Sequence, residues 1–89
     1  MKLELNEFCP CCGYDTFDSK ERLNYGICRI CFWEDDPDQF KFIHDKGSNR
    51  VSLVQARENF KKFGACELEM KSHTRDITPM DKRDPNYFI

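Results

Sequence analysis

The stretch "FCPCCGYDTF", residues 8–17, places Cys9, Cys11 and Cys12 within four positions and follows them directly with Gly13. A second cysteine pair, Cys28 and Cys31, stands in "GICRICF", residues 26–32. Cys9 with Cys12, and Cys28 with Cys31, each bracket two residues, and residues 13–27 separate the pairs. This is the spacing of a four-thiolate zinc site, because each C-x-x-C folds into a knuckle that aims two sulfurs at one point. The expected cofactor is therefore one Zn²⁺ held by Cys9, Cys12, Cys28 and Cys31. A tetrahedral ion closed by four thiolates has no vacant position for a substrate, so the expected role is structural. Such ligation is worth about 10–16 kcal/mol in small domains, as much as the whole stability of a chain this short.

Cys11 makes only C-x-C with Cys9 and adjoins Cys12, and neither spacing builds a knuckle. Gly13 favours Cys12 as the ligand, since a residue without Cβ lets the chain turn back and point amides at sulfur. Exchange of Cys11 for Cys12 is the competing reading, and iron in place of zinc stays open. Cys11 and Cys66 otherwise read as small packing residues. A Cys₃His site using His44 would leave one member of a C-x-x-C pair idle.

At 89 residues the chain is long enough for one small domain, and six cysteines suit a domain that recruits a metal. The opening "MKLELNEFCP" lacks an apolar core of signal-peptide length, and no apolar run is long enough to cross a bilayer. The expectation is a soluble cytoplasmic protein whose thiols stay reduced and bind metal. A net charge of -2 with 34% charged residues is not the basic footprint of a nucleic-acid binder.

The residue pattern predicts a small α+β fold of β-hairpins around the metal with one amphipathic helix over about residues 52–63. Leu3 and Leu5 in "LELNEF" alternate as in a short strand, and "YDTFDSKERLNYGI", residues 14–27, suggests two strands joined by a polar turn at Asp18 to Glu21. In "FWEDDPDQF", residues 32–40, Pro37 acts against helix and central strand, so a loop is expected. Lys46, Gly47, Ser48 and Asn49 mark a turn. In "SLVQARENFKKFGA", residues 52–65, Leu53, Ala56, Phe60 and Phe63 line one helical face. Ser52 and Gln55 suggest a capping box, and Gly64 a left-handed stop. Leu68, Met70 and Ile77 could form one more strand pair. The apolar tail "NYFI" is expected to pack back on the domain. This divides the chain into a domain over 1–66 and a C-terminal extension over 67–89.

Three blocks, "CPCCGY", "CRICFWEDD" and the helix "SLVQARENFKKFGA", resemble the bacterial cysteine-rich CPCC family in the same order. The resemblance covers roughly residues 8–66 and leaves the tail outside it. It implies a zinc-ribbon-like domain with an appended helix. It also suggests an immunity role, since small bacterial proteins that look like this are thought to neutralise secreted toxins.

The leading function is thus a protein-binding module. Phe32 and Trp33 offer aromatic area, and Glu34, Asp35, Asp36 and Asp38 an anionic cluster suited to a basic toxin domain. The competing reading packs the two aromatics on the ribbon and leaves the acids solvated. A nucleic-acid-binding zinc ribbon is the alternative, weakened because Lys61, Lys62, Lys71, Arg75, Lys82 and Arg83 are interleaved with acids. Thiol–disulfide exchange is weaker still: neither cysteine pair opens a helix, and His44 and His73 read as ordinary surface residues. With no phosphate loop or hydrolase elbow, the chain is not expected to be an enzyme.

Overall fold

In the computed structural model, which describes residues 5–87, Pro37–Lys41 form helix α1 and Leu53–Phe63 form helix α2. Two 3₁₀ turns, Ser19–Glu21 and Leu68–His73, complete the regular structure among the described residues. The expected helix is present with its caps. The Ser52 side chain accepts from the Gln55 amide, and Gly64 closes the helix at φ +83°. Leu53 and Ala56 are buried, while Phe60 is half-buried against the core. The capping box is only half made, because the Gln55 side chain donates forward to Asn59 Oδ1 at 2.8 Å.

The expected β-hairpins are absent: among the described residues there is no strand, only the antiparallel bridges Tyr14–Arg83 and Ile27–Glu34. The reason lies at residues 22–25. Leu23 and Tyr25 take left-handed backbone angles, φ 59° and 61°, which interrupt any extended run. They are held there by Asp35, whose carboxylate accepts from the Leu23 amide at 2.6 Å and whose carbonyl accepts from the Tyr25 amide at 3.1 Å. The predicted Leu68–Ile77 strand pair is also replaced, by the 3₁₀ turn, with Leu68 exposed. Leu3 lies outside the described residues, and residues 5–8 form no strand.

The loop expected around Pro37 is a short helix instead. Asp36 caps it by accepting from the amides of Asp38 and Gln39, and Pro37 takes the first helical position, where a missing N–H costs nothing.

The core is built around sulfur. Cys9, Cys11, Cys12, Cys28, Cys31 and Cys66 are all buried, joined by Ile30, Trp33, Leu53 and Ala56. Beside it lies a polar core. Gln39, 1% exposed, donates to the carbonyls of Asp45 and Val51 and accepts from the Asn49 amide and side chain, all at 2.9–3.0 Å. Asn49 in turn accepts from the Glu34 amide at 2.9 Å and donates to the Glu34 carbonyl at 2.8 Å. Its side-chain amide stands where a neighbouring strand would pair, satisfying backbone groups that an open edge would leave free.

Candidate metal centre

The two C-x-x-C segments fold alike. In the first knuckle the Gly13 amide donates to the Cys9 carbonyl at 2.8 Å and the Cys9 amide to the Tyr14 carbonyl at 2.9 Å. In the second, the Phe32 amide donates to Cys28 at 2.8 Å and the Cys28 amide to Trp33 at 2.9 Å. Both turns need a left-handed residue just after the second cysteine. Gly13 supplies it at φ 81°, and Phe32 adopts it at φ 68° with its ring stacked 5.2 Å from His73.

The knuckles face one another, and the ligand atoms of Cys9, Cys12, Cys28 and Cys31 all lie within 4.8 Å of each other. Two close approaches run between knuckles: Cys9 Sγ to Cys31 Sγ is 3.6 Å, and Cys12 Sγ to Cys28 Sγ is 3.7 Å. Thiolates about 2.3 Å from one ion at tetrahedral angles stand about 3.8 Å apart, so these separations fit a common metal and are far too long for a disulfide. The Thr16 hydroxyl donates to Cys28 Sγ at 3.1 Å, an orienting contact that no spacing rule reveals.

Electrostatics point the same way. Burial pushes the Cys9 and Cys31 thiols up, and hydrogen bonding with Cys28 and Cys31 pushes Cys12 up. Cys28 is driven down by hydrogen bonds from Cys12, Cys31, Cys9 and Thr16, against the effect of burial. One thiolate is sheltered at the expense of its neighbours. Four can ionise together only around a cation, which is the condition for metal ligation. The soft, all-sulfur donor set and the four buried ligands suit a closed structural ion.

Cys11 is buried but stands outside the four-sulfur group. Cys66 is buried too, its thiol pushed up to about 12 by burial, and its amide donates to the Cys31 carbonyl at 2.8 Å. His44 and His73 are exposed, and neither joins the four-cysteine group.

The expected partner surface does not stand as drawn. Trp33 and Asp35 are fully buried and Asp36 is 4% exposed, so none of the three is available to another protein. Asp35 pairs with Arg22 Nε at 2.7 Å, both side chains being almost wholly enclosed, and Arg22 lies over Phe17 and Phe40. Asp36 accepts from the amides of Asp38, at 2.8 Å, and Ser48, at 2.9 Å. Phe32 and Glu34 are half-buried, and only Asp38 is exposed. The acids could not be placed from the sequence because their partners, Arg22 and Ser48, come from remote segments.

Fold and site together define a small domain organised by a buried four-cysteine cluster presented on two knuckles. The chain belongs to the cysteine-rich CPCC family, whose family model matches residues 7–81. The match runs well past residue 66, so most of the tail is part of the family region and not outside it, as the sequence blocks suggested. No curated protein matches the chain. No helix among the described residues is long and apolar enough to cross a membrane.

Proposed function

We propose that this protein is a zinc-stabilised scaffold that acts by binding another protein. One observation carries the structural half: four buried cysteines converge from two like knuckles, leaving no ligand position open. Zinc is the ion of choice because it accepts four thiolates at tetrahedral angles without redox chemistry. Native mass spectrometry should find one zinc per chain, and stripping it with a strong chelator should abolish the α2 circular-dichroism signal and expose Trp33. A chain that stays folded and metal-free after exhaustive chelation would defeat this reading.

The binding half is supported by apolar side chains left in solvent. Ile27 and Phe32 line two adjoining depressions of about 200 and 430 Å³, with Met70 at one end and His73 at the other. Leu68, Ile77 and Met80 are also exposed. An immunity role against a toxin fits such a module. Its recognition would rest on this apolar surface, since Asp35 and Asp36 are committed internally. Nucleic acid is the weaker reading because Arg50 is paired with Glu67 and Glu69, and Arg75 with Asp81. A photo-crosslinker at Ile27 or Leu68, introduced in the native host, should capture a discrete protein, and Ile27→Glu should abolish binding to it without metal loss. A retarded band with mixed DNA and RNA at low salt would reverse the order of the two readings.

A further inference from the structure

The first knuckle presents six consecutive backbone carbonyls, Cys9 to Tyr14, and every one accepts a hydrogen bond. Gly13 and Cys9 amides satisfy those of Cys9 and Tyr14, and Arg57 Nε of helix α2 donates to Pro10 at 2.8 Å. The three between belong to one short segment near the C-terminus. Tyr87 OH donates to Cys11, Arg83 Nε to Cys12 at 3.2 Å, and the Asp84 amide to Gly13 at 2.7 Å. The segment is anchored further by Lys82, whose carbonyl accepts from the Asp15 amide and whose amide donates to Asp15 Oδ1. The Tyr87 ring lies so close over Gly13 that a Cβ there would meet it at 2.6 Å. The Arg83 guanidinium sits 5.1 Å over Tyr14 and 4.5 Å over Tyr87, locking strap to knuckle.

The second knuckle is covered differently, by Cys66 on the Cys31 carbonyl and Arg75 on Arg29, both inside the family match. Residues 82–87 lie beyond it. Their side chains are exposed or half-exposed, and a few hydrogen bonds hold them, which is the profile of a segment that opens locally without global unfolding.

We propose that residues 82–87 are a detachable strap over the first knuckle, and that its opening sets the rate at which the cluster exchanges metal. The proposal rests on the metal reading above. With the strap closed, Cys9, Cys11 and Cys12 are sealed; with it open, the Cys11 and Cys12 backbone is bared while the second knuckle stays covered.

The test compares the full chain with a chain ended after Asp81. Zinc-loaded proteins are mixed with excess EDTA and a colorimetric zinc reporter, and cysteine alkylation is mapped by mass spectrometry. Loss of the strap should speed release about tenfold or more, the effect of lowering an opening barrier by about 1.4 kcal/mol. Cys11 should alkylate ahead of Cys66 in the shortened chain and not in the full one. Ser52→Ala, which removes the side-chain cap of helix α2 and so weakens the fold away from the strap, should leave the release rate within about twofold, separating local opening from general destabilisation. Should the shortened chain fail to fold, judged by Trp33 fluorescence, Tyr87→Ala serves in its place with the same readouts expected. Equal release rates and equal Cys11 labelling in folded proteins would overturn the strap. A folded chain that binds no zinc would defeat the metal reading alone, and Cys11 labelling would still decide the strap.

Discussion

The pair formed by Arg22 and Asp35 offers the sharpest test of how the acidic motif works. Asp35→Asn removes the carboxylate charge but keeps an oxygen for the Leu23 amide, now 2.6 Å from Asp35 Oδ2. That oxygen would still face Arg22 Nε, 2.7 Å away, but the new NH2 group would stand where Oδ1 now accepts from Arg22 Nη2 at 3.4 Å, leaving the enclosed guanidinium, its side chain 2% exposed, with only neutral oxygens, those of Asn6 at 3.0 and 3.1 Å among them, in place of an anion. Leaving one member of a buried pair uncompensated costs about 3–5 kcal/mol. Arg22→Met leaves the carboxylate stranded and should cost a similar amount. The double variant Arg22→Met with Asp35→Asn removes both charges, preserves the Leu23 hydrogen bond and fills the space between Phe17 and Phe40. It should recover most of the loss, giving a coupling energy of about 2 kcal/mol or more. Urea denaturation of the zinc-loaded proteins at pH 7, followed by Trp33 fluorescence, measures all four corners. Two single losses that simply add in the double variant, or an Asp35→Asn cost below about 1 kcal/mol, would refute a charge-coupled interior.

Cys9→Ser and Cys28→Ser should each abolish metal retention and folding, whereas Cys11→Ala should keep one zinc by native mass spectrometry and cost about 1 kcal/mol or less in urea. Gly47→Ala should destabilise by about 1–3 kcal/mol through crowding alone, because its Cβ would meet Asp36 Oδ2 at 2.7 Å and Gln39 Cγ at 2.9 Å. Asp36 is held below its ordinary value: burial works to raise it, but amide donation from Ser48, Asp38 and Gln39 outweighs burial. A depressed folded value contributes stability above the unfolded one, 3.8, and loses it as pH falls through the folded one. The stability gap between the native chain and Asp36→Asn should therefore be widest near pH 7 and narrow below pH 4, and a gap independent of pH would contradict it.

What the sequence discloses tracks how local each cause is. Helix α2 is legible because its apolar spacing, its Ser52 cap and its Gly64 stop all lie within one segment. The four-cysteine group is legible for the same reason, each knuckle being a four-residue device. Helix α1 was also written locally, in Asp36 before Pro37, but proline read as a breaker conceals its use at a first helical turn. The roles of Asp35 and Asn49 were out of reach, since the first depends on Arg22 and the second on the Glu34 backbone fifteen positions earlier. Alternating apolar residues in 14–27 imitated strands because nothing local announces the left-handed turns at Leu23 and Tyr25.

The misread acidic motif also explains how so short a chain folds with so few aliphatic side chains inside. Ile30 and Leu53 are the only large aliphatics fully buried among the described residues, too little apolar area to fix one conformation. Two devices take over, the sulfur cluster and the polar core around Asp35, Gln39 and Asn49, and they are not independent. Both act on residues 28–35: the second knuckle ends at Trp33, Glu34 is clamped by Asn49, and Asp35 holds the turn at Leu23. A metal held at Cys28 and Cys31, as proposed, would therefore also set the backbone on which the polar core is assembled. Polar groups can be buried here because that backbone offers them partners: each such side-chain nitrogen and oxygen among the described residues is hydrogen-bonded.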